Sequence, residues 1–265
     1  MDGPDAETWR CLLRRLPADA GLSALYGPLL AGAAPGERVG ERPGERPGER
    51  LVLGRIAQSL DGRIATASGA SRWISGPDDI VHTHRLRALF DAVVVGAGTV
   101  RADNPALTTR AVEGPSPVRV VLDPQRRLDG RFQLFQEGPE TLLLCAEDAV
   151  GPDRLGQASV VRLRRAGEGL CIDAVLATLA ARGLHRVFVE GGGVTVSRFL
   201  AAGALDRLHV TIAPLLLGGG VPSFSLPPAA SLAEALRFDW TVHRLGADLL
   251  LDIPLRRIPL CRAGA

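Results

Sequence analysis

Short apolar runs rich in Val, Leu and Ile recur along the chain, separated by stretches with helical spacing. The runs are LVLGRIAQS (51–59), DAVVVG (91–96), VRVVLD (118–123), TLLLC (141–145), SVVRL (159–163) and RVFVE (186–190). Their length and β-branched content predict strands buried on both faces. Asp78–Phe90, Ile172–Ala181 and Val194–Ala202 read as helices between them. Strand alternating with helix predicts an α/β domain around a largely parallel sheet. After Asp206 the pattern changes. RLHVTIAPLLLGG (207–219) and DLLLDIPL (248–255) read as strands joined by a long Gly/Pro-rich connection without a long helix, so antiparallel strands should close one edge.

The first fifty residues differ. Residues 1–35 suggest short helical segments around Trp9–Leu16 and Ala24–Leu30, interrupted by Pro17, Gly21 and Gly27. A four-residue repeat, GERV-GERP-GERP-GER, occupies 36–50. Its glycines and prolines oppose regular structure and its balanced charges favour water, which makes it a linker. The expected organisation is a short helical extension (1–35), the linker (36–50) and one domain (51–258), with the extension dispensable for chemistry.

Composition narrows the function classes. A net charge of +2 over 265 residues confines any anion site to a local patch and gives nucleic-acid binding no support. No apolar run approaches the roughly 20 residues of a membrane span. MDGPDAETWRCLLRR does not resemble a secretory signal, so a cytoplasmic protein is expected. The four cysteines form no C-x-x-C pair, and His82 and His84 lie two apart on a helix, on different faces; no metal site is expected. The chain contains no lysine, which removes Schiff-base chemistry.

Two segments carry candidate chemistry. VVVGAGTVR (93–101) has a G-x-G, but Arg101 stands where a dinucleotide fingerprint needs its third glycine, so that match fails; tight packing at a βα turn explains the glycines equally well. EGGGVTVSRF (190–199) delivers Glu190 at the carboxyl end of a strand. Three glycines there let backbone approach a phosphate, and a helix start offers free N–H groups, with Thr195 and Ser197 in its first turn. The alternative is a plain βα turn with a surface glutamate. Arg87, Arg110 and Ser71 suit a phosphate clamp, since guanidinium forks and hydroxyls match phosphate oxygens. Asp103, followed by Asn104-Pro105, reads by itself as part of a turn.

From about Leu51 to Leu255 the chain resembles the reductase domain of bacterial riboflavin-biosynthesis deaminase/reductases and the related stand-alone pyrimidine reductases. The resemblance rests on SLDGRIA (59–65), the S-x-W-I of Ser71–Ile74, L-R-A-x-x-D-A-x-x-x-G-x-x-T (86–99), D-N-P-x-L-T-x-R (103–110), EGGG (190–193) and AP-x-LLGG (213–219). It implies a dihydrofolate-reductase-like three-layer fold and NADPH-dependent reduction of the ribosyl group of a ribosylamino-pyrimidinedione 5′-phosphate to ribityl. By the resemblance, Ser71, Arg87, Leu107 and Arg110 hold this phosphorylated pyrimidine, mostly through its phosphate, and Glu190 lies beside the ribose and pyrimidine. Ala57, Trp73, Thr99, Asp103 and the loop Gly192, Gly193, Val194, Thr195, Val196 and Ser197 would line the NADPH site. Glu190 and Asp103 are the best-placed carboxylates for charge stabilisation or proton relay.

Two departures stand out. Arg55 occupies a position where the family commonly has a substrate-contacting lysine, and a guanidinium cannot give up its proton as an amine can. The sequence also holds no H-x-E with a downstream P-C-x-x-C, so zinc deamination is not expected. Two rivals remain: a paralogous reductase of another pyrimidine, pteridine or specialised metabolite, and a binding module without turnover. The apolar stretch 208–217, if exposed, would seat a second copy in a homodimer. Preference for NADPH would need a cation near the 2′-phosphate, for which Arg126 or Arg127 after the 118–123 strand is a candidate.

Overall fold

The computed structural model describes residues 4–14, 19–30, 50–72 and 74–255. The repeat lies outside the described residues except for Arg50, as does Trp73. The main sheet contains β1 (Leu51–Gln58), β2 (Ala92–Gly96), β3 (Val118–Leu122), β4 (Thr141–Ala146), β5 (Arg154–Leu155), β6 (Ala158–Leu163), β7 (Arg186–Gly191), β8 (Arg207–Ile212), β9 (Thr241–Leu245) and β10 (Asp248–Pro254). Their spatial order is β9-β10-β8-β1-β7-β2-β3-β4-β6-β5. Every pair from β8 across to β6 is parallel. β10 and β9 add antiparallel strands at one edge, as expected, and β5 adds one at the other.

Six α-helices accompany this sheet: α1 (Pro4–Leu13), α2 (Ala20–Leu30), α3 (Pro77–Leu89), α4 (Ala97–Asp103), α5 (Ile172–Ala180) and α6 (Gly193–Ala201). Side chains alternate across a strand, so the sheet builds two cores. Val52, Ile56, Val94, Val189 and Val210 meet α5 and α6 on one face. Leu53, Val93, Val95, Phe188 and Leu250 meet α1, α2 and α3 on the other. This is a three-layer arrangement.

The structure revises three expectations. The strand expected over 207–219 ends at Ile212. Pro214 has no N–H to donate to a ladder, and the chain beyond is pinned as a turn: Asp61 accepts the N–H groups of Leu217 (3.1 Å) and Gly218 (2.8 Å) and the Ser59 hydroxyl (2.6 Å). These bonds, led by Ser59, lower the Asp61 pKa to about 2. SLDGRIA and AP-x-LLGG are therefore two halves of one structural turn. Second, only the first half of the stretch 208–217 is interior strand and the rest belongs to this turn, where Leu216 is exposed, so the stretch presents no continuous apolar face for a partner.

Third, the N-terminal helices are not an appendage. α2 runs through Gly21, Gly27 and Pro28 because tertiary packing outweighs their poor helix propensity. Trp9, Leu12, Leu25, Tyr26 and Leu29 are buried in the same core as α3. Arg186 of β7 donates to the Leu29 carbonyl (3.1 Å), and Trp9 Nε1 donates to that of Glu113 (2.9 Å). Tyr26 begins a buried polar chain. Its hydroxyl lies 2.7 Å from His82 Nδ1, His82 Nε2 lies 3.1 Å from His209 Nδ1, and His209 Nε2 stands 3.2 Å from Asp252 Oδ1. Burial lowers both histidine pKa values, aided at His82 by His209 and opposed at His209 by Asp252, so both rings are neutral. Asp252 stays ionised because His209 and Arg207 outweigh its burial. Its Oδ1 faces His209 Nε2 as a charge contact outside hydrogen-bond geometry, so that buried nitrogen has no hydrogen-bond partner among the described residues. Among the described residues no helix is long and apolar enough to cross a membrane.

Candidate functional site

A cleft of about 740 Å³ opens at the carboxyl ends of β1, β7, β2 and β3, where parallel α/β sheets place ligands. Arg55 of β1 and Glu190 of β7 line it and share the strand parity that faces α3. Asp79 and Arg87, about two turns apart on that helix, receive them. Arg87 Nε donates to Glu190 Oε2 (2.7 Å), Arg87 Nη2 donates to Glu190 Oε1, and Arg87 Nη1 donates to the Thr108 carbonyl (2.9 Å). Arg55 Nη2 donates to Asp79 Oδ2, and the Thr211 hydroxyl donates to Asp79 Oδ1 (2.7 Å). Two ion pairs of opposite sense thus cross from strand to helix beneath the cleft.

Burial works to raise the Glu190 pKa, but Arg87, with help from Arg55 and His84, outweighs it and holds the group below the usual carboxylate range. Asp79 is likewise ionised, with Arg55, Ser75 and Thr211 prevailing over desolvation. His84 accepts from the Arg110 N–H (3.1 Å); burial and then Arg87 push its pKa down to about 4.

The glycine loop follows β7. Gly192 has φ +76°, which favours glycine. A Cβ at Gly96 would stand 2.5 Å from Thr195 Oγ1, and one at Gly193 2.5 Å from the Ser223 carbonyl, so both seat α6 closely. At Gly191 and Gly98 a Cβ would meet nothing within 4 Å. Both line the cleft and leave the room a bulky anion needs. α6 starts at Gly193 without a side-chain cap, leaving its first N–H groups free for such an anion.

Of the residues singled out from sequence, Arg55, Ala57, Ser71, Thr99, Asp103, Leu107, Glu190, Gly192, Gly193, Val194 and Thr195 line the cleft. The Ser71 hydroxyl donates to Asp103 Oδ1 (2.9 Å), and Leu107 is buried with φ +54°, a strained backbone for a leucine. Val196 and Ser197 do not line it: Val196 packs in the core, and Ser197 Oγ accepts from the Ser225 N–H (2.8 Å). Arg87 lies behind Glu190, and Arg110 is exposed outside the lining, its Nη1 3.4 Å from Thr108 Oγ1. Sequence reasoning passed over Asp79 and Arg198, which both belong to the site's surroundings, Arg198 in the lining and Asp79 behind Arg55. Asp79 is one of two acids in the first turn of α3, and only the packing of α3 on β1 reveals its partner. Of the two arginines after β3, Arg127 lines the cleft, whereas Arg126 donates to the Pro152 carbonyl (2.8 Å).

Comparison with known proteins agrees with this architecture. The chain is 32% identical over 242 residues to riboflavin biosynthesis protein RibD of Mycobacterium tuberculosis, matching 89% of this chain and 64% of that one. It thus spans just under two-thirds of that relative. It is 33% identical over 218 residues to a 2,5-diamino-6-ribosylamino-4(3H)-pyrimidinone 5′-phosphate reductase of Methanothermobacter thermautotrophicus, covering 77% of this chain and 98% of that protein. Among solved structures, a deaminase/5-amino-6-(5-phosphoribosylamino)uracil reductase of Thermotoga maritima superposes with a TM-score of 0.67 at 30% identity, over 78% of this chain and 57% of that one. The RibD C-terminal domain model matches residues 50–249, and the chain belongs to that family.

Proposed function

We propose that the protein is an NADPH-dependent reductase of riboflavin biosynthesis that converts the ribosyl group of 5-amino-6-ribosylaminouracil 5′-phosphate to ribityl. The observation that carries this reading is an ionised Glu190, locked by Arg87, on the wall of a cleft that continues to the free N–H groups of α6. One end offers a fixed negative charge for a cation-like reacting carbon, and the other offers donors for a dinucleotide phosphate. A bound nicotinamide would supply the hydride. The chain's own residues would orient the substrate and stabilise its charge. Glu190 would face the ribose, Ser71 and Asp103 would form a hydroxyl–carboxylate pair at its edge, and Arg110 would meet the 5′-phosphate.

The rival reading, a reductase of another pyrimidine or pteridine, is favoured by Arg55 at the family's lysine position. NADPH oxidation measured with the aminouracil phosphate, its 2,5-diamino-pyrimidinone counterpart and a panel of pteridines separates the two. Turnover confined to the panel, or binding without turnover, would overturn the proposal. Arg127 supports NADPH as the cofactor, because it is the cation of its loop that reaches the cleft. Arg127→Ala should raise the NADPH KM about tenfold and leave the NADH KM within about twofold, the loss of one charge-assisted contact. Equal changes for both nucleotides would remove Arg127 from that role. A homodimer would use the free edge at β9, where Trp240, Val242 and Leu249 are exposed; light scattering tests it.

A further inference from the structure

We propose that Asp79 is a positioning residue that acts through Arg55, holding its guanidinium on α3 and away from Glu190. The inference deepens the reading of this same cleft as a reductase site. Arg55 is buried yet lines the cleft, and its Nε has no hydrogen-bond partner among the described residues. Its Nη2 is tied to Asp79, which is fully buried and fixed from the other side by Thr211 of β8, the strand beside β1. Glu190 stands on β7, the strand on the opposite side of β1. Arg55 therefore stands between Asp79 and Glu190, with Asp248 also nearby, and its field already reaches Glu190.

A guanidinium set free from Asp79 would turn to Glu190, since the other nearby carboxylate, Asp248, is already held by the Gly76 N–H (2.7 Å). It would then compete with Arg87 for Glu190 and neutralise the charge the cleft presents to the reacting carbon. A shorter, rotating ammonium at position 55 would need no such tether, whereas a planar fork with fixed geometry does. Asp79 gives Arg55 a partner that lies outside the reacting space, and Thr211 keeps that partner in place.

A double-mutant cycle tests this. The full chain is prepared as Asp79→Asn, Arg55→Met and both together, with NADPH affinity followed by fluorescence and turnover by NADPH oxidation. Asp79→Asn should lower kcat about tenfold or more, with the substrate KM within about threefold and NADPH affinity unchanged. In the Arg55→Met background the same change should alter kcat less than about twofold, since the residue has nothing left to hold. Equal losses in both backgrounds would show that Asp79 serves the fold alone and would overturn the proposal. If Asp79→Asn does not fold, Thr211→Val replaces it in the cycle, with a smaller loss that must also vanish without Arg55. A wild-type enzyme that turns over no ribosylamino-pyrimidine phosphate would sink the functional reading instead. The cycle is then read on affinity for ribose 5-phosphate, where additivity, or no wild-type binding, overturns the present proposal.

Discussion

At Glu190 and Arg87 the sequence motifs single out two residues without showing that they pair. A lone arginine in L-R-A invites a phosphate contact, because nothing in one dimension shows that β7 brings a carboxylate to it. The pair occupies the Arg87 fork on two nitrogens and the Thr108 carbonyl takes a third. Glu190, held ionised, is a poor proton donor and a good source of fixed negative charge. Glu190→Gln keeps the shape but leaves Arg87 buried without its counter-charge. Breaking a buried pair from one side costs about 3–5 kcal/mol, so the melting temperature should fall. kcat should also fall, on the order of a hundredfold, while NADPH affinity holds. A Gln variant with near-normal kcat would move the essential charge to Asp103. Arg87→Ala should behave like Glu190→Gln, in stability and kcat. Arg110→Ala should raise substrate KM about tenfold, because its exposed head is free for a phosphate. If Arg87→Ala changes only KM, the ion pair opens to admit the phosphate.

At the scale of elements, hydrophobic periodicity was a good guide wherever strands are buried on both faces. β1, β2, β3, β4, β6 and β7 are predominantly apolar runs, and each stands within a residue or so of its expected bounds. β9 escaped because TVHRL (241–245) is an edge strand whose side chains are largely exposed, so it carries no apolar run. The N-terminal helices were undervalued for a related reason: Gly21, Gly27 and Pro28 argue against helix locally, and only a hydrophobic face docked on α3 overrides them. Fully burying each large side chain contributes about 1.5–3 kcal/mol. Trp9, Leu12, Leu25, Tyr26 and Leu29 together rival the net stability of a whole domain, about 5–15 kcal/mol. Deleting residues 1–48 should therefore yield an unfolded or aggregating protein. Leu29→Ala, which leaves the chain length intact, should cost about 2–5 kcal/mol in denaturant unfolding. A truncated chain with wild-type melting and activity would return these helices to the status of an appendage.

For the molecule as a whole, the sequence declared the layer order and the cleft's place at the strand ends but not its buried ionic framework. Asp79, His82, His209 and Asp252 are spread between residues 79 and 252 of the chain, and their partners are set by register between helix and sheet. That framework predicts how the protein responds to acid. His82, His84 and His209 have native pKa values below the unfolded value of about 6.5. The native state then binds fewer protons than the unfolded chain as pH drops below that value. Stability from the neutral histidines is complete above about pH 6.5 and is lost as pH falls through their native values, for His84 by about 4. Asp61, Asp79, Glu190 and Asp252 have lowered carboxyl pKa values as well. Their share is complete above about pH 4.3 and is lost below it, as far as about 2 for Asp61. Melting temperature should therefore plateau near neutrality and fall in two stages as the medium is acidified. His84→Asn retains an acceptor for the Arg110 N–H but cannot titrate, so it should flatten part of the first stage and leave the second unchanged. A melting temperature constant between neutral pH and about pH 4.5 would mean that the buried histidines reach water and protonate without opening the fold.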